Sequence, residues 1–184
     1  VIIASIFLPF LPLLPIHILI QNLLCDFAQT GMPFDNVDNE YIEKPKKWDT
    51  NQIKKFMFSF GSISTVLDIL CFLILWFILG FNTVEKATLF QTGWFAFGIV
   101  SQTFIIQMIR TDKKPFIESK ASKQLLISSL VITLITSLIV FTNISNIFDL
   151  TKLPPVYILW IIALLIIYAI AIQICKRFNR QVDM

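Results

Sequence analysis

The sequence predicts an all-α fold, a polytopic membrane helix bundle made of the tail of one helix followed by five spans. Three observations lead there. Hydrophobic residues make up 56% of the chain and charged residues only 15%, with a mean hydropathy of +0.76; an ordinary soluble domain is about 25% charged. The apolar residues lie in long runs, and a helix needs about 20 of them to cross a bilayer core. Of the 15 Lys and Arg, all but Lys86 and Lys152 fall on one side when the runs are threaded alternately through a membrane. Basic residues accumulate on the cytoplasmic side. The loops at 35–55 and 110–123 and the C-terminus are therefore expected in the cytoplasm.

Taken in order, residues 1–8 read as the end of a helix whose beginning lies outside the sequence. The chain opens on Val1 inside an apolar run, with no basic n-region and no cleavage site. That predicts a piece of a longer protein rather than a signal peptide. Pro9, Pro12 and Pro15 exclude a regular helix interior, because each lacks an N–H and clashes with the preceding turn. A helical apolar pattern resumes at 16 and fades by 28, too short to span. Residues 29–34, with Gly31 and Pro33, complete it as irregular backbone, so 16–34 is expected as a discontinuous helix. Such backbone is tolerated at membrane depth only where protein buries it or it lines a wet cavity.

The stretch 35–55 carries both charge signs and reads as an exposed loop. Residues 56–79 form a full span with Asp68 at its centre, and 80–86 a turn. The span 87–109 is amphipathic, with Gln91, Ser101, Gln102, Thr103 and Gln107. Its Gly93 and Gly98 point to close helix packing. A second polar loop covers 110–123, an aliphatic span 124–141, and a connection closed by Pro154 and Pro155 covers 142–155. The last span is 156–175, with Trp160 near its start, where interfacial aromatics sit.

Several chemistries are excluded. Cys25, Cys71 and Cys175 lie in apolar runs without CxxC spacing, which reads as core rather than disulfide or zinc. No P-loop, GxGxxG or nucleophile elbow is present. The basic loops carry acid and few aromatics, so the expected partner of that charge is the lipid bilayer and not nucleic acid.

An ionisable group inside an apolar span costs about 2.5–3.5 kcal/mol on insertion scales and is a functional candidate by default. Asn22 and Asp26 share one helix face, one turn apart. Asp offers a hard anionic oxygen and Asn a neutral one, as hard cations require; the alternative is interhelical hydrogen bonding by a buried Asn and a protonated Asp. Gln21 and Gln29 could add amide oxygens. So sparse a set leans toward a small, partly hydrated cation such as Mg²⁺, which keeps its waters. Asp68 is the second intramembrane acid, either a ligand, a proton-accepting group or a structural partner. Gln102 is a weaker ligand that more often bridges helices. Asn22 and Asp26 are thus the leading metal candidates, with Asp68, Gln21 and Gln102 behind them. His17 reads as a helix-end residue rather than a ligand.

The string LPIHILIQNLLCDFAQTGMPFDNVD resembles the sixth membrane helix of P-type cation-transporting ATPases, whose pattern is a proline, an apolar run, N-L-x-x-D, a small-residue break and a cytoplasmic loop. Here NLLCD puts Asn22 and Asp26 on the two motif positions. The wider strings SIFLPFLPLLPIHILIQNLLCD, PFDNVDNE, EKPKKW and LFQTGWF…SQT resemble the magnesium-transporting branch. The resemblance covers the whole chain, as the end of the fifth helix through the tenth. It implies an ATP-driven pump with an aspartyl-phosphate intermediate, in a bacterial inner membrane, with Mg²⁺ as the transported ion moving into the cytoplasm. Asn22 and Asp26 would be cation-site residues. The partners implied are the transported cation and N-terminal ATPase domains of the same protein, where Mg²⁺ acts with ATP. The phosphorylation motif DKTGT and the actuator TGE are not in this sequence, so no catalytic residue is expected in it. Cys25 departs from the pattern, standing where calcium pumps often have Thr and the magnesium branch Tyr. The alternatives are a P-type pump for Ca²⁺ or H⁺, and a standalone secondary transporter or channel using Asp26 and Asp68.

Overall fold

Hydropathy and helix length set the architecture. A computed structural model of the chain describes residues 5, 7–36, 50–111, 113, 115–116 and 118–182, with backbone alone at 51–53, 55–56 and 178–182. Among the described residues the long helices are α1 (Pro15–Gln29), α2 (Thr50–Leu73), α3 (Ala87–Ile109), α4 (Lys123–Phe141) and α5 (Val156–Val182). Short 3₁₀ turns cover Met32–Phe34, Val84–Lys86 and Asn143–Phe148. Among the described residues there is no strand, only an isolated bridge between Pro115 and Ser119. The fold is all-α, and four helical segments, Met57–Ile78, Val84–Ile109, Lys123–Phe141 and Val156–Arg177, are long and apolar enough to cross a membrane.

α1 is the exception in length. Its 15 residues rise about 22 Å, short of the roughly 30 Å of a bilayer core. Pro15 starts it at the first position, where the missing N–H is not needed. Before it, residues 8–14 are not helical. Two of its carbonyls are bonded: Gln91 Nε2 donates to Leu11 O at 2.8 Å, and the N–H groups of His17 and Ile18 donate to Leu14 O. Phe10 anchors the same stretch in an aromatic cluster with Trp76 and Phe90, at centroid distances of 6.3 and 5.6 Å.

Two expected boundaries are corrected. The loop at 35–55 ends early, because Thr50–Leu73 is helical and takes in the polar residues 50–55; residues 37–49 of that loop lie outside the described ones. The last helix likewise runs past 175 to Val182. Hydropathy marks where the apolar environment stops, whereas Gln, Lys and Arg continue a helix readily in water. α2 closes through a π turn, Ile74–Ile78, and Gly80 at φ +66°. There Leu79 N bonds Ile74 O and Phe81 N bonds Leu75 O, each at 2.9 Å. A left-handed residue that ends a helix is usually glycine, which has no Cβ to clash.

α3 is the hub. Of its most apolar stretch 67% is buried, against 17–33% for the other three long helices, and it packs on all four neighbours. Side-chain pairs fix the directions. α1 runs parallel to α3, through Gln91–Leu11 and Arg110–Asp35. α4 runs antiparallel to α1, through Ser128 Oγ to Ala28 O at 2.9 Å at one end and His17 to Phe148 O at the other. α2 and α5 are antiparallel, through Ser64–Tyr168 and Cys71–Tyr157. The expected close packing at Gly93 is present: a Cβ there would fall 2.5 Å from Leu75 Cδ2, and Tyr157 OH donates to Gly93 O at 2.7 Å.

Charge closes one end of the bundle. Arg110 Nη1 lies 3.2 Å from Asp35 Oδ2, and its Nη2 donates to Ser119 O at 2.6 Å. Asp35 Oδ1 accepts from Ser122 N at 2.8 Å. Ser122 in turn caps α4, its Oγ accepting from Leu125 N at 3.2 Å, which satisfies one of the unpaired donors of a helix start. Lys176 reaches across from α5 and donates to Met108 O and Thr111 O, a cation at the negative end of α3.

Candidate functional site

α1 decides the site, because it is short, polar in its middle and irregular at both ends. Its inward face is His17, Cys25 and Ala28, all buried, with Gln21 half-buried between them. Asn22 and Asp26 each follow an inward residue by one position. One residue turns a helix by about 100°, so both side chains leave the interface and are exposed.

The other three metal candidates meet. Gln21 of α1, Asp68 of α2 and Gln102 of α3 line one partly open cavity of about 390 Å³. Ser64, Ser101 and Tyr168 complete its polar lining, and Trp94 and Phe97 are among its apolar walls. Neither Asn22 nor Asp26 belongs to the lining. Gln102 bridges helices, as its residue type suggests: Cys25 Sγ donates to its Oε1 at 2.7 Å. Cys25 is therefore more than core filling, since it ties α1 to α3 beside Asp26. Ser64 Oγ and Tyr168 OH bond each other. Asp68 keeps exposed surface. Among the described residues, no three His, Cys, Asp or Glu come together.

His17 stands at the third position of α1, a helix end as expected, but it is fully buried. Its Nδ1 accepts from Leu14 N at 3.4 Å and its Nε2 lies 2.9 Å from Phe148 O. A carbonyl accepts only, so Nε2 carries the hydrogen. Both ring nitrogens are used, which leaves none for a metal.

Two features escape a reading of the sequence. Tyr168 joins the cavity from α5, and its only signal was a lone hydroxyl in an aliphatic run. The Asp35–Arg110–Ser122 cluster draws on three separate elements, and charge counting registers only that Arg110 lies in a basic loop.

Comparison with known proteins follows the same helices. Residues 10–178 match the family model described as cation transporting ATPase, C-terminus. The chain is 46% identical over 178 residues to the magnesium-transporting ATPase, P-type 1, of Escherichia coli, and equally to a protein of that name from Salmonella typhimurium. A second Salmonella typhimurium protein of the same name is 42% identical. Each alignment covers 97% of this chain and 20% of the relative, so the chain spans about a fifth of the length of the curated relatives it matches. A match that runs from the proline-rich entry of α1 into the polar end of α5 takes in every helix of the bundle, and the chain belongs to the family of cation-transporting ATPase C-terminal regions.

Proposed function

We propose that this chain is the membrane part of an ATP-driven magnesium pump and that Asn22 and Asp26 supply ligands to its cation site. The carrying observation is the exposure of both side chains on the shortest and most irregular helix of an apolar bundle. A carboxylate facing hydrocarbon is costly, so that face of α1 is read as covered by other parts of the protein, which complete the site. The names of the relatives supply the ion. One carboxylate and one amide suit a cation that keeps several waters, as Mg²⁺ does.

In this reading α1 is a fifth span, with residues 8–14 and Met32–Phe34 completing its crossing. The helices correspond to the sixth through the tenth of a P-type ATPase. The end carrying Asp35, Arg110 and Lys176 faces the cytoplasm of a bacterial inner membrane, since the basic residues gather there. ATP binding with its own Mg²⁺, and phosphorylation, belong to the rest of the full-length protein.

The test is ATP-driven transport of Mg²⁺, Ca²⁺ and H⁺ by the full-length protein in proteoliposomes, with Mg²⁺–ATP supplied in every arm. Mg²⁺ transport is expected, lost in Asp26→Asn and Asn22→Ala, with melting temperatures measured to establish that each variant is folded. Transport of Ca²⁺ or H⁺ instead of Mg²⁺ would overturn the ion assignment, and full Mg²⁺ transport by Asp26→Asn would overturn the site.

A further inference from the structure

Below Asp26 the chain stays wound until it reaches Asp35. α1 ends at Gln29, Thr30 and Gly31 keep right-handed helical backbone, and Met32–Phe34 is a 3₁₀ turn. Thr30 N bonds Phe27 O at 3.2 Å, Phe34 N bonds Gly31 O at 3.2 Å and Asp35 N bonds Met32 O at 3.0 Å. Asp35, at ψ 155°, is the first extended residue after α1. No slack separates it from Asp26, and wound backbone of this kind carries a displacement from one end to the other.

This exit of α1 meets α4 at three matched points. Ser128 Oγ donates to Ala28 O, Gly31 lies against the Leu125 backbone, and Ser122 N donates to Asp35 Oδ1. Steps of three and four residues keep such contacts on one face of each element. Asp35 alone contributes a polar side chain from α1's side of this seam. Its second oxygen takes Arg110 of α3 at 3.2 Å, and the pair is shielded by this chain's own residues. One carboxylate thus joins the end of α1 to two other helices. On the other side of Asp26, Cys25 is bonded to Gln102 of α3, so Asp26 sits between two ties.

We propose that Asp35 is a positioning residue for transport: clamped by Arg110 and by the start of α4, it fixes the height and axial rotation of α1 and so the direction in which Asn22 and Asp26 point. The proposal rests on the reading of that pair as cation ligands and deepens it. Groups that orient metal ligands without touching the metal weigh heavily on affinity. Rotation matters here because one residue's step of about 100° separates the buried face of α1 from the face carrying Asn22 and Asp26. Releasing Asp35 frees the exit to turn, and the cost falls on ion binding rather than on turnover.

The experiment uses the full-length protein in proteoliposomes. Mg²⁺ is trapped inside at graded concentrations, Mg²⁺–ATP outside is held constant, and an entrapped Mg²⁺-sensitive dye reads the transport rate. Asp35→Ala is expected to raise the half-saturating luminal Mg²⁺ at least about tenfold, the lower end for loss of a ligand-orienting group, with the maximal rate per folded protein kept. Asp35→Asn retains an acceptor for Ser122 N and is expected to recover part of that loss; it carries the comparison if Asp35→Ala does not fold. A lower maximal rate with unchanged half-saturation would show a merely structural role and overturn the proposal. Hydrogen exchange on the same variants in detergent supplies a readout that needs no transport. Exchange is expected to rise from Asp35 up to Asp26 and to stay unchanged at His17, and a rise confined to residues beyond Gly31 would overturn the proposal as well. A wild-type protein that moves no Mg²⁺ would defeat the magnesium reading, and the exchange pattern would then decide the positioning role by itself.

Discussion

Gly31 lies so close to Leu125 that a Cβ added to it would fall 2.6 Å from Leu125 Cα and 2.8 Å from Leu125 N. The obstacle is backbone, so no side-chain rotation can relieve it. The residue's φ of −77° is open to any amino acid. This glycine is there for the contact between the end of α1 and the start of α4, and not for its conformational freedom. Close backbone approach through small residues is a general way to join helices in a bilayer.

Gly31→Ala is expected to push α1 away from α4 and to cost about 1–3 kcal/mol, the range for overpacking. Thermal unfolding of the full-length protein in detergent would register it as a lower melting temperature. An unchanged melting temperature would mean that the two helices do not meet this closely.

The Arg110–Asp35 pair is mostly buried, with side chains 5% and 14% exposed. Removing one partner of such a pair leaves the other charge uncompensated, at about 3 kcal/mol. Arg110→Met should therefore destabilise strongly. Arg110→Lys should fall short of rescue, because one ammonium cannot serve both Asp35 and Ser119 as the two guanidinium nitrogens do. Asp35→Asn should be milder than Asp35→Ala, since an amide oxygen can still accept from Ser122 N. Melting temperatures in that order would confirm the geometry.

Lys176 is 8% exposed and holds the Met108 carbonyl in the last turn of α3 and the Thr111 carbonyl just beyond it. Lys176→Met keeps the apolar stem and loses the donor. The expected cost is about 1–2 kcal/mol, the scale of a cation at a partly buried helix C-terminus. Hydrogen exchange should rise at the end of α3 and in the following loop, and not at its start. Uniform exchange along α3 would contradict a local tie.

Tyr157 is fully buried and joins three helices, through Gly93 O at 2.7 Å and a 3.5 Å contact with Cys71 Sγ. Tyr157→Phe deletes only the hydroxyl, and interhelical hydrogen bonds in membranes average about 0.6 kcal/mol. Tyr157→Ala also empties a large core volume, at about 3–5 kcal/mol. The ratio of the two losses, read from unfolding of the full-length protein, tests whether Tyr157 acts mainly by packing.

The sequence by itself determined the helical, membrane-embedded character of this chain and where its apolar spans lie. Those depend on composition and run length, which are local. It also singled out Gln21, Asp68 and Gln102 as polar groups in apolar surroundings, without any reason to group them. Only the tertiary structure decided that they share a cavity while Asn22 and Asp26 face outward, because a single residue's step of about 100° separates the two faces of α1. Helix ends were misread at 50–55 and beyond 175, where polar residues continue a helix that hydropathy no longer marks. The Asp35–Arg110–Ser122 cluster and the contact of Gly31 with Leu125 both join residues far apart in the chain, and only helix packing brings them within reach.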